Sequence, residues 1–332
     1  MSLASTHTVL RLIINVNSRR YANQPGPRES QVPLGSAGAL ASLFEPLGRP
    51  KRTLVLVHGV SGRGNRDPHI VNLARSLVPL GYRCVIPELH GFAQFRHDPR
   101  DIETLVQAIE ASQQLDGHRI ALMAFSYGAS YALVAAADPR ARDACAAMVG
   151  FGAYYDLGEA LEHQRQWLLK STDLAEDCAD IAYLRYTLLS CHRHELGLSE
   201  QAWRDIEPIL INYTTRVPLD TKRGPLLRHT KDIDYVALMQ SYQRRDLSPR
   251  LSPATSLAHV RCHVGLLHDP NDRFVPAHHA ERIRSALDAR AHVTPTEVLL
   301  TPMLSHVQVD PMRRLFDLPR LVRLLEPALG YR

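Results

Sequence analysis

An apolar strand, a sharp turn and a helix follow one another around Ser126, and this order most limits the fold of the chain. Residues 118–123 form a short apolar run that predicts a buried strand. Residues 129–137 are rich in alanine and predict a helix. A turn this tight needs small residues two positions before and after the serine, and Ala124 and Gly128 meet that need. We expect Ser126 at the tip of a strand–turn–helix unit.

The backbone around this turn is suited to hold a negatively charged oxygen. The N–H of Tyr127, at the helix N terminus, points to one donor of an oxyanion hole. Upstream, residues 53–60 form an apolar strand that runs into His58 and Gly59, and Gly59 permits an unusual loop conformation. The N–H of Val60 is therefore the expected second donor. We interpret His58 as a structural residue that pins this loop by hydrogen bonds.

Two further loops supply an acid and a base. The apolar strand predicted at 264–268 runs into a loop with two candidate acids, of which we prefer Asp272, in an Asp-x-x-Val-Pro pattern, with Asp269 as the alternative. A loop aspartate that only caps a turn would read the same way. The last predicted strand, 297–301, is followed by His306. A neutral imidazole there could take the serine proton and return it to a leaving group.

The order serine, acid, histidine, each after a strand, resembles the α/β-hydrolase superfamily. The residues that carry the resemblance are 56–59, 85–88, 124–128, 272–276 and 305–306. It implies an α/β fold with a mostly parallel sheet, helices on both faces and a helical cap insertion. It also implies a Ser-Asp-His triad that needs no cofactor and no metal. Ala124 stands where glycine is more common. Residues 62–68 and 150–157 resemble a group of bacterial hydrolases without an assigned substrate.

The domain organisation follows from where strands and helices alternate. Strand–helix alternation over 37–155 and again over 258–332 predicts the core, with a parallel sheet covered on both faces. Residues 1–36 are expected to be an N-terminal extension, in which 9–16 reads as a strand or docking segment. Residues 156–257 contain no convincing strand and predict a helical cap insertion.

The cap is expected to contain helices at 157–170, 174–189, 199–217 and 233–245. It would lie over the carboxyl edge of the sheet, where α/β folds bind ligands. The alternative is an insertion that serves only stability or dimerisation. Four aromatic residues are candidate pocket walls, with ordinary core packing as the competing role: Tyr154, Tyr155, Trp167 and Trp203.

Composition excludes several other classes. The net charge of +5 comes from scattered basic residues, which does not indicate nucleic-acid binding. No apolar run reaches the roughly 18 residues of a membrane span. Five cysteines without Cys-x-x-Cys spacing favour a reducing cytoplasm. The Cys-His-Arg-His run at 191–194 lacks a second half at zinc-ligand spacing.

Three functions remain open at this point. The first is a serine hydrolase that cleaves a carboxylic ester or thioester of a small acyl substrate through an acyl-enzyme. The second uses the same triad on a C–C bond or an amide. The third is a hydrolase fold kept as a non-catalytic binding module. A homodimer is compatible with each of them.

Overall fold

The structure is a computed structural model that describes residues 3–18, 21, 28–35, 39–171, 179–211, 228–246, 249–290, 296–302, 304–305, 308–309 and 315–330. The strands are β1 (Glu29–Leu34), β2 (Ala39–Phe44), β3 (Thr53–Val57), β4 (Arg83–Pro87), β5 (Ile120–Phe125), β6 (Cys145–Phe151), β7 (His263–His268), β8 (Thr296–Leu300), β9 (Leu304–Ser305) and β10 (Gln308–Val309). The helices are α1 (Leu3–Ser18), α2 (Pro68–Leu77), α3 (His90–Ala93), α4 (Pro99–Asp116), α5 (Tyr127–Ala137), α6 (Leu157–Lys170), α7 (Ala179–Cys191), α8 (Glu200–Ile211), α9 (Tyr235–Asp246), α10 (His278–Asp288) and α11 (Leu318–Leu329).

Eight strands form one sheet in the order β1-β2-β4-β3-β5-β6-β7-β8. The pairs β1–β2 and β2–β4 are antiparallel, and the other pairs are parallel. Across the centre, Ala124 on β5 pairs with Val57 on β3 and Gly150 on β6, and Gly150 pairs with Leu266 on β7. The carboxyl ends of four neighbouring strands therefore meet at one edge of the sheet. The predicted α/β architecture with a mostly parallel sheet is confirmed.

Helices cover both faces of the sheet. The apolar core on one face includes residues of α1, α2 and α11, and the core on the other includes residues of α4, α5 and α10. Because both faces are covered, the central strands are apolar at consecutive positions rather than alternate ones. All five residues of β3 are buried, for example.

The N-terminal segment differs from the sequence-based expectation. Of the two expectations for 9–16, a strand or a docking segment, the strand is wrong, because residues 3–18 form helix α1. Val9 and Leu12 are buried, and Ile13 and Val16 pack beside them against α2 and α11. Positions 9, 12, 13 and 16 recur at helical spacing, and that stripe is what holds the segment as a helix.

The sheet also begins earlier than the predicted core boundary at residue 37. Strand β1 pairs with β2 over six residues, from Glu29 opposite Phe44 to Leu34 opposite Ala39. The pairing makes β1 an antiparallel edge strand of the main sheet, so part of the predicted extension 1–36 belongs to it.

In the described part of the insertion between β6 and β7, the regular elements are helices joined by turns. Helix α6 spans 157–170 as predicted, while α7 and α8 have predicted extensions at 174–178 and 212–217 that lie outside the described residues. Helix α9 packs against α6 and α7. None of the described helices is long and apolar enough to cross a membrane.

Candidate active site

Ser126 lies at the turn between β5 and α5, in a backbone conformation that few residues adopt. Its φ is +54° and its ψ is −133°, which is strained for a residue with a side chain. Hydrogen bonds from both sides hold the residue in this strained conformation. The Ser126 N–H donates to the Phe151 carbonyl at 2.6 Å, and the Ser126 carbonyl accepts from the Ala129 N–H at 2.9 Å. We call residues 125–128 the elbow.

Close backbone approach explains the small residues around the elbow. A Cβ on Gly128 would lie 2.2 Å from the His58 carbonyl oxygen, so no side chain fits there. A Cβ on Gly59 would lie 3.0 Å from the Ser126 Cβ and 3.7 Å from its Oγ. The loop after β3, residues 58–67, therefore runs directly beside the serine. We call it the β3 loop.

Of the two predicted oxyanion donors, Tyr127 follows Ser126 in the chain and Val60 belongs to the β3 loop, which passes beside the serine at Gly59. Tyr127 is the first residue of α5, where backbone N–H groups have no partner inside the helix. Val60 follows Gly59 in the β3 loop. In the described part of the chain, neither amide donates a hydrogen bond to another protein group. The positive end of the α5 dipole adds to the attraction for an anion at this point.

His58 is enclosed beneath the β3 loop. It is 3% exposed, and its Nδ1 lies 2.7 Å from the Gly59 carbonyl oxygen. Burial lowers the pKa of its imidazole, so the ring is neutral at pH 7. Its edge contacts the Phe92 ring. These contacts agree with its interpretation as a residue that pins the loop.

Asp272 lies on the other side of the elbow, in the loop after β7. We call residues 269–275 the acid loop. The Asp272 Oδ1 accepts the N–H groups of Phe274 at 2.8 Å and Val275 at 3.0 Å, and its side chain is 4% exposed. A Cβ on Gly152 would lie 3.6 Å from the Asp272 Oδ2 and 3.9 Å from the Ser126 Cα. The Asp272 Oδ2 and the serine therefore lie close to the same glycine.

Asp269 occupies a different position in the acid loop. Its Oδ1 accepts the Asn271 N–H at 2.9 Å, and its carbonyl accepts the Asp272 N–H at 3.0 Å. The side chain is half-buried. These are the bonds of an aspartate that stabilises its own turn.

His306 lies outside the described residues. Another histidine, His268 at the end of β7, does lie near the acid, with its Nε2 3.7 Å from the Asp272 Oδ2. That nitrogen is 2.7 Å from the Val275 carbonyl oxygen. Because a carbonyl can only accept, Nε2 carries a hydrogen and is not available to take a proton.

Helices of the insertion reach both loops. Gln164 on α6 is 3% exposed, and its Nε2 donates to the Tyr127 hydroxyl and, at 3.1 Å, to the Phe274 carbonyl. Tyr183 on α7 donates its hydroxyl to the Val60 carbonyl at 3.0 Å. The insertion is thus in contact with the elbow, the β3 loop and the acid loop.

The four aromatic residues predicted as pocket walls or core lie in different surroundings. Tyr154 is fully buried, with its hydroxyl donating to the Leu251 carbonyl at 2.8 Å, and Trp203 is 4% exposed. Trp167 is half-buried with its ring edge on Phe274, 5.9 Å between centroids, so it borders the acid loop. Tyr155 is half-buried under the Arg282 guanidinium. Tyr154 and Trp203 are therefore packed in the core, whereas Trp167 and Tyr155 are partly accessible.

Sequence reasoning missed three residues of this site. Gly152 has a φ of +67°, and its place two residues after Gly150 at the end of a buried strand was a usable signal. Gln164 and Tyr183 gave no signal, because each lies on a helix of ordinary pattern and acts on a loop that is distant in sequence.

One group of described side chains has the composition of a metal site. Glu159, His278 and His279 bring ligand atoms within 4.8 Å of one another. Other contacts account for two of them, since Glu159 pairs with the Arg282 guanidinium and the His279 Nδ1 accepts the Tyr155 N–H at 3.2 Å. The cationic guanidinium and the occupied nitrogen both oppose a bound cation, so we assign no metal here.

Comparisons with known proteins agree with this architecture. The family model for the α/β hydrolase fold matches residues 52–177, which include β3, the elbow and β6. No curated protein matches the chain in sequence. Among solved structures, an acylaminoacyl peptidase from Pyrococcus horikoshii aligns with a TM-score of 0.54 and 14% identity, over 95% of this chain and 44% of the peptidase. This chain therefore spans less than half the length of that enzyme.

Two esterases match over most of both chains. One, from Pyrococcus furiosus, has a TM-score of 0.54 and 11% identity over 91% of each chain. The other, from Pyrobaculum calidifontis, has a TM-score of 0.50 and 15% identity over 98% of this chain and 93% of the esterase. Identities this low establish the fold and not the activity. Together with the sheet order and the elbow, they show that the chain has the α/β-hydrolase fold.

Proposed function

We propose that the protein is a serine hydrolase that cleaves a carboxylic ester or thioester of a small acyl substrate through an acyl-enzyme intermediate. The observation that carries the proposal is the strained Ser126 with the buried Asp272 carboxylate across Gly152. The proposed triad is Ser126, His306 and Asp272. The neighbours that are named esterases support a hydrolytic reaction in general.

The proposed cycle has two halves and needs no cofactor. The Ser126 Oγ attacks the acyl carbon while His306 takes its proton, and the N–H groups of Val60 and Tyr127 donate to the oxygen that becomes negative. His306 then gives the proton to the leaving alcohol or thiol. A water, deprotonated by the same imidazole, releases the carboxylic acid and restores the serine. Asp272 would hold the imidazole in the correct tautomer and stabilise its cation.

The geometry supports these roles for specific reasons. The elbow places Ser126 at the N terminus of α5, so an oxyanion beside it would lie at the positive end of a helix dipole. The Asp272 Oδ1 accepts two backbone N–H groups, which fix the carboxylate, and the proposal gives Oδ2 the role of accepting from the histidine. Each oxyanion donor is expected to contribute about 3–4 kcal/mol to the transition state.

The insertion at 156–257 is proposed as a cap that shapes the acyl site. Its contacts with Val60, Tyr127 and Phe274 support that role over one in stability alone. An amide or C–C bond hydrolase would use the same triad, because the fold and the triad do not select the substrate. The peptidase among the structural neighbours keeps the amide reaction as the second candidate.

The test is covalent labelling followed by a substrate panel. Intact mass after exposure to a fluorophosphonate should show a single adduct on the wild type and none on Ser126→Ala. Ser285→Ala, a variant at an exposed serine on α10, is the matched control and should label like the wild type. A labelled Ser126→Ala protein, or a folded wild type that never labels, would overturn the proposal in favour of a binding module.

Turnover then separates the substrates and tests the base. On p-nitrophenyl esters, acyl thioesters, diketones and peptides, we expect the esters or thioesters to be cleaved fastest. Ser126→Ala should lower kcat by at least about 10⁴-fold. His306→Asn should lower kcat by a similar factor. His259→Asn, at an exposed histidine in the 258–332 part of the chain, should not. Peptide cleavage faster than ester cleavage would instead support the amide hydrolase.

A further inference from the structure

Helix α6 holds the acid loop through consecutive side chains. The Nε2 of His163 donates to the Arg273 carbonyl at 3.1 Å, and the Nε2 of Gln164 donates to the Phe274 carbonyl at 3.1 Å. The two differ in burial, because His163 is exposed while Gln164 is 3% exposed. Gln164 is therefore the anchor that solvent cannot replace.

The two partners of Gln164 belong to different parts of the proposed machinery. Phe274 donates its N–H to the Asp272 Oδ1 at 2.8 Å, so a shift of Phe274 shifts the carboxylate. Tyr127, whose hydroxyl accepts the other hydrogen of the Gln164 amide, supplies the proposed oxyanion N–H. One side-chain amide thus uses both of its hydrogens to tie the acid loop to the elbow.

We propose that Gln164 is a positioning residue that sets the distance between the Asp272 carboxylate and the elbow. The inference rests on the proposed function, in which Asp272 orients the base that serves Ser126. Under this proposal the insertion contributes to catalysis, because one of its side chains aligns the acid loop. Gln164 itself does not touch the reacting atoms.

Removing this amide takes one hydrogen-bond donor from the Phe274 carbonyl and one from the Tyr127 hydroxyl, at a position where the Gln164 side chain is 3% exposed. The Phe274 carbonyl and the Tyr127 hydroxyl would each seek another partner, and the acid loop would move to supply one. A shift of about 1 Å in a catalytic group can cost up to about a hundredfold in rate. A misplaced carboxylate also stabilises the imidazolium less, which lowers the pKa of the base.

The test compares two glutamines on the same helix. Gln164→Met keeps the length of the side chain and removes both hydrogen bonds. Gln166→Met is the matched control, because Gln166 is exposed and donates to Glu162 on its own helix. Active sites are first counted by fluorophosphonate titration, and kcat, KM and the pH profile of kcat/KM are then measured per titrated site on a p-nitrophenyl ester.

The expected result separates positioning from folding. Per titrated site, Gln164→Met should lose about tenfold in kcat with KM within about twofold, and the acid limb of its pH profile should move to lower pH. Gln166→Met should match the wild type in all three. If Gln164→Met lowers only the number of titrated sites and leaves kcat per site unchanged, its role is structural and the proposal is wrong.

A second variant covers a failure of Gln164→Met to fold. Tyr127→Phe removes the hydroxyl while keeping the backbone N–H and the Gln164 side chain, and it should lower kcat per site by about threefold. An unchanged kcat per site in Tyr127→Phe would then overturn the proposal. If the wild type itself neither labels nor hydrolyses any ester, the proposed function has failed, which is distinct from a failure of Gln164.

Discussion

The elbow and the acid loop supply neighbouring parts of the proposed active site but are held in place by different means. The elbow is shaped by its own backbone. Ser126 is fixed by hydrogen bonds from strands and helix on either side, and Gly128 admits the His58 carbonyl at a distance that no side chain would allow. The acid loop is instead held through its carbonyl oxygens, which accept from the side chains of His163, Gln164 and His268.

This difference separates two kinds of sensitivity. A turn held by close backbone approach has no room for an added methyl group, and a disruption of that turn affects the whole edge of the sheet. A loop held by side chains tolerates changes in its own volume but depends on residues elsewhere in the chain. We therefore expect substitutions that add volume to the elbow to lose stability, and substitutions of the acid-loop carboxylate to lose activity while the protein remains folded.

The largest expected effect comes from the acid. Asp272→Asn retains Oδ1 for the N–H groups of Phe274 and Val275 and replaces the anionic Oδ2 with an amide, so the loop should keep its shape. We expect kcat on an ester to fall by about 10⁴-fold, because an amide cannot hold the imidazole in the required tautomer. Thermal unfolding should remain close to that of the wild type.

Asp269→Asn is the matched control in the same loop. Its carboxylate accepts the Asn271 N–H, which an amide oxygen also does, so kcat should change by less than about threefold. A large loss in Asp269→Asn with little loss in Asp272→Asn would transfer the role of the acid to Asp269. A large loss of stability in Asp272→Asn would contradict the distinction between the two regions.

A pH effect of intermediate size tests the junction between elbow and insertion. His97 is 4% exposed, and its ring lies 4.9 Å from that of Tyr127 and 5.4 Å from that of Tyr242 on α9, with the Tyr131 hydroxyl 3.4 Å from its Nδ1. Burial lowers the pKa of His97 from 6.5 to about 3. The folded state therefore keeps this ring neutral where the unfolded chain binds a proton.

The sign of the effect follows from that difference. The stability contributed by neutral His97 is fully present above pH 6.5 and is lost as the pH falls toward 3. Between pH 6.5 and 4, the wild type should lose about 3 kcal/mol more than His97→Phe. Urea unfolding at pH 7, 5 and 4 measures it, and parallel pH curves for the two proteins would mean that His97 is not the group that titrates.

The same contrast explains how far the sequence predicts this molecule. The elbow was predictable because its signals are local: a buried strand, a serine, a glycine two residues later and a helix. The parallel sheet was predictable because apolar runs alternate with helical ones. The anchors of the acid loop were not, since Gln164 lies 110 residues before Phe274, and a buried glutamine on a helix has no local pattern.

The prediction of a strand in the N-terminal segment was wrong for a different reason. Arg11 and Asn15 interrupt its apolar residues, and over so short a run the pattern of α1 suits a strand as well as a helix. The helix is decided by packing, because Val9 and Leu12 are buried against α2 and α11. Residues 29–34 likewise form strand β1 because they pair with β2. Their mixture of polar and apolar residues does not predict this pairing.

The smallest of these effects tests the elbow by a single methyl group. Gly128→Ala places a Cβ 2.2 Å from the His58 carbonyl oxygen, a contact that the β3 loop must move to relieve. Overpacking of this kind costs up to about 3 kcal/mol, and the better helix propensity of alanine returns about 1 kcal/mol, so we expect a net loss of about 2 kcal/mol. Urea unfolding measures this loss, and the dependence of the free energy of unfolding on urea concentration should stay unchanged.

The matched control is Gly48→Ala. No atom lies within 4 Å of the added Cβ there, so the free energy of unfolding should change by less than about 0.5 kcal/mol. If the two variants were equally stable, the elbow would not be held by close backbone approach, and its difference from the acid loop would disappear.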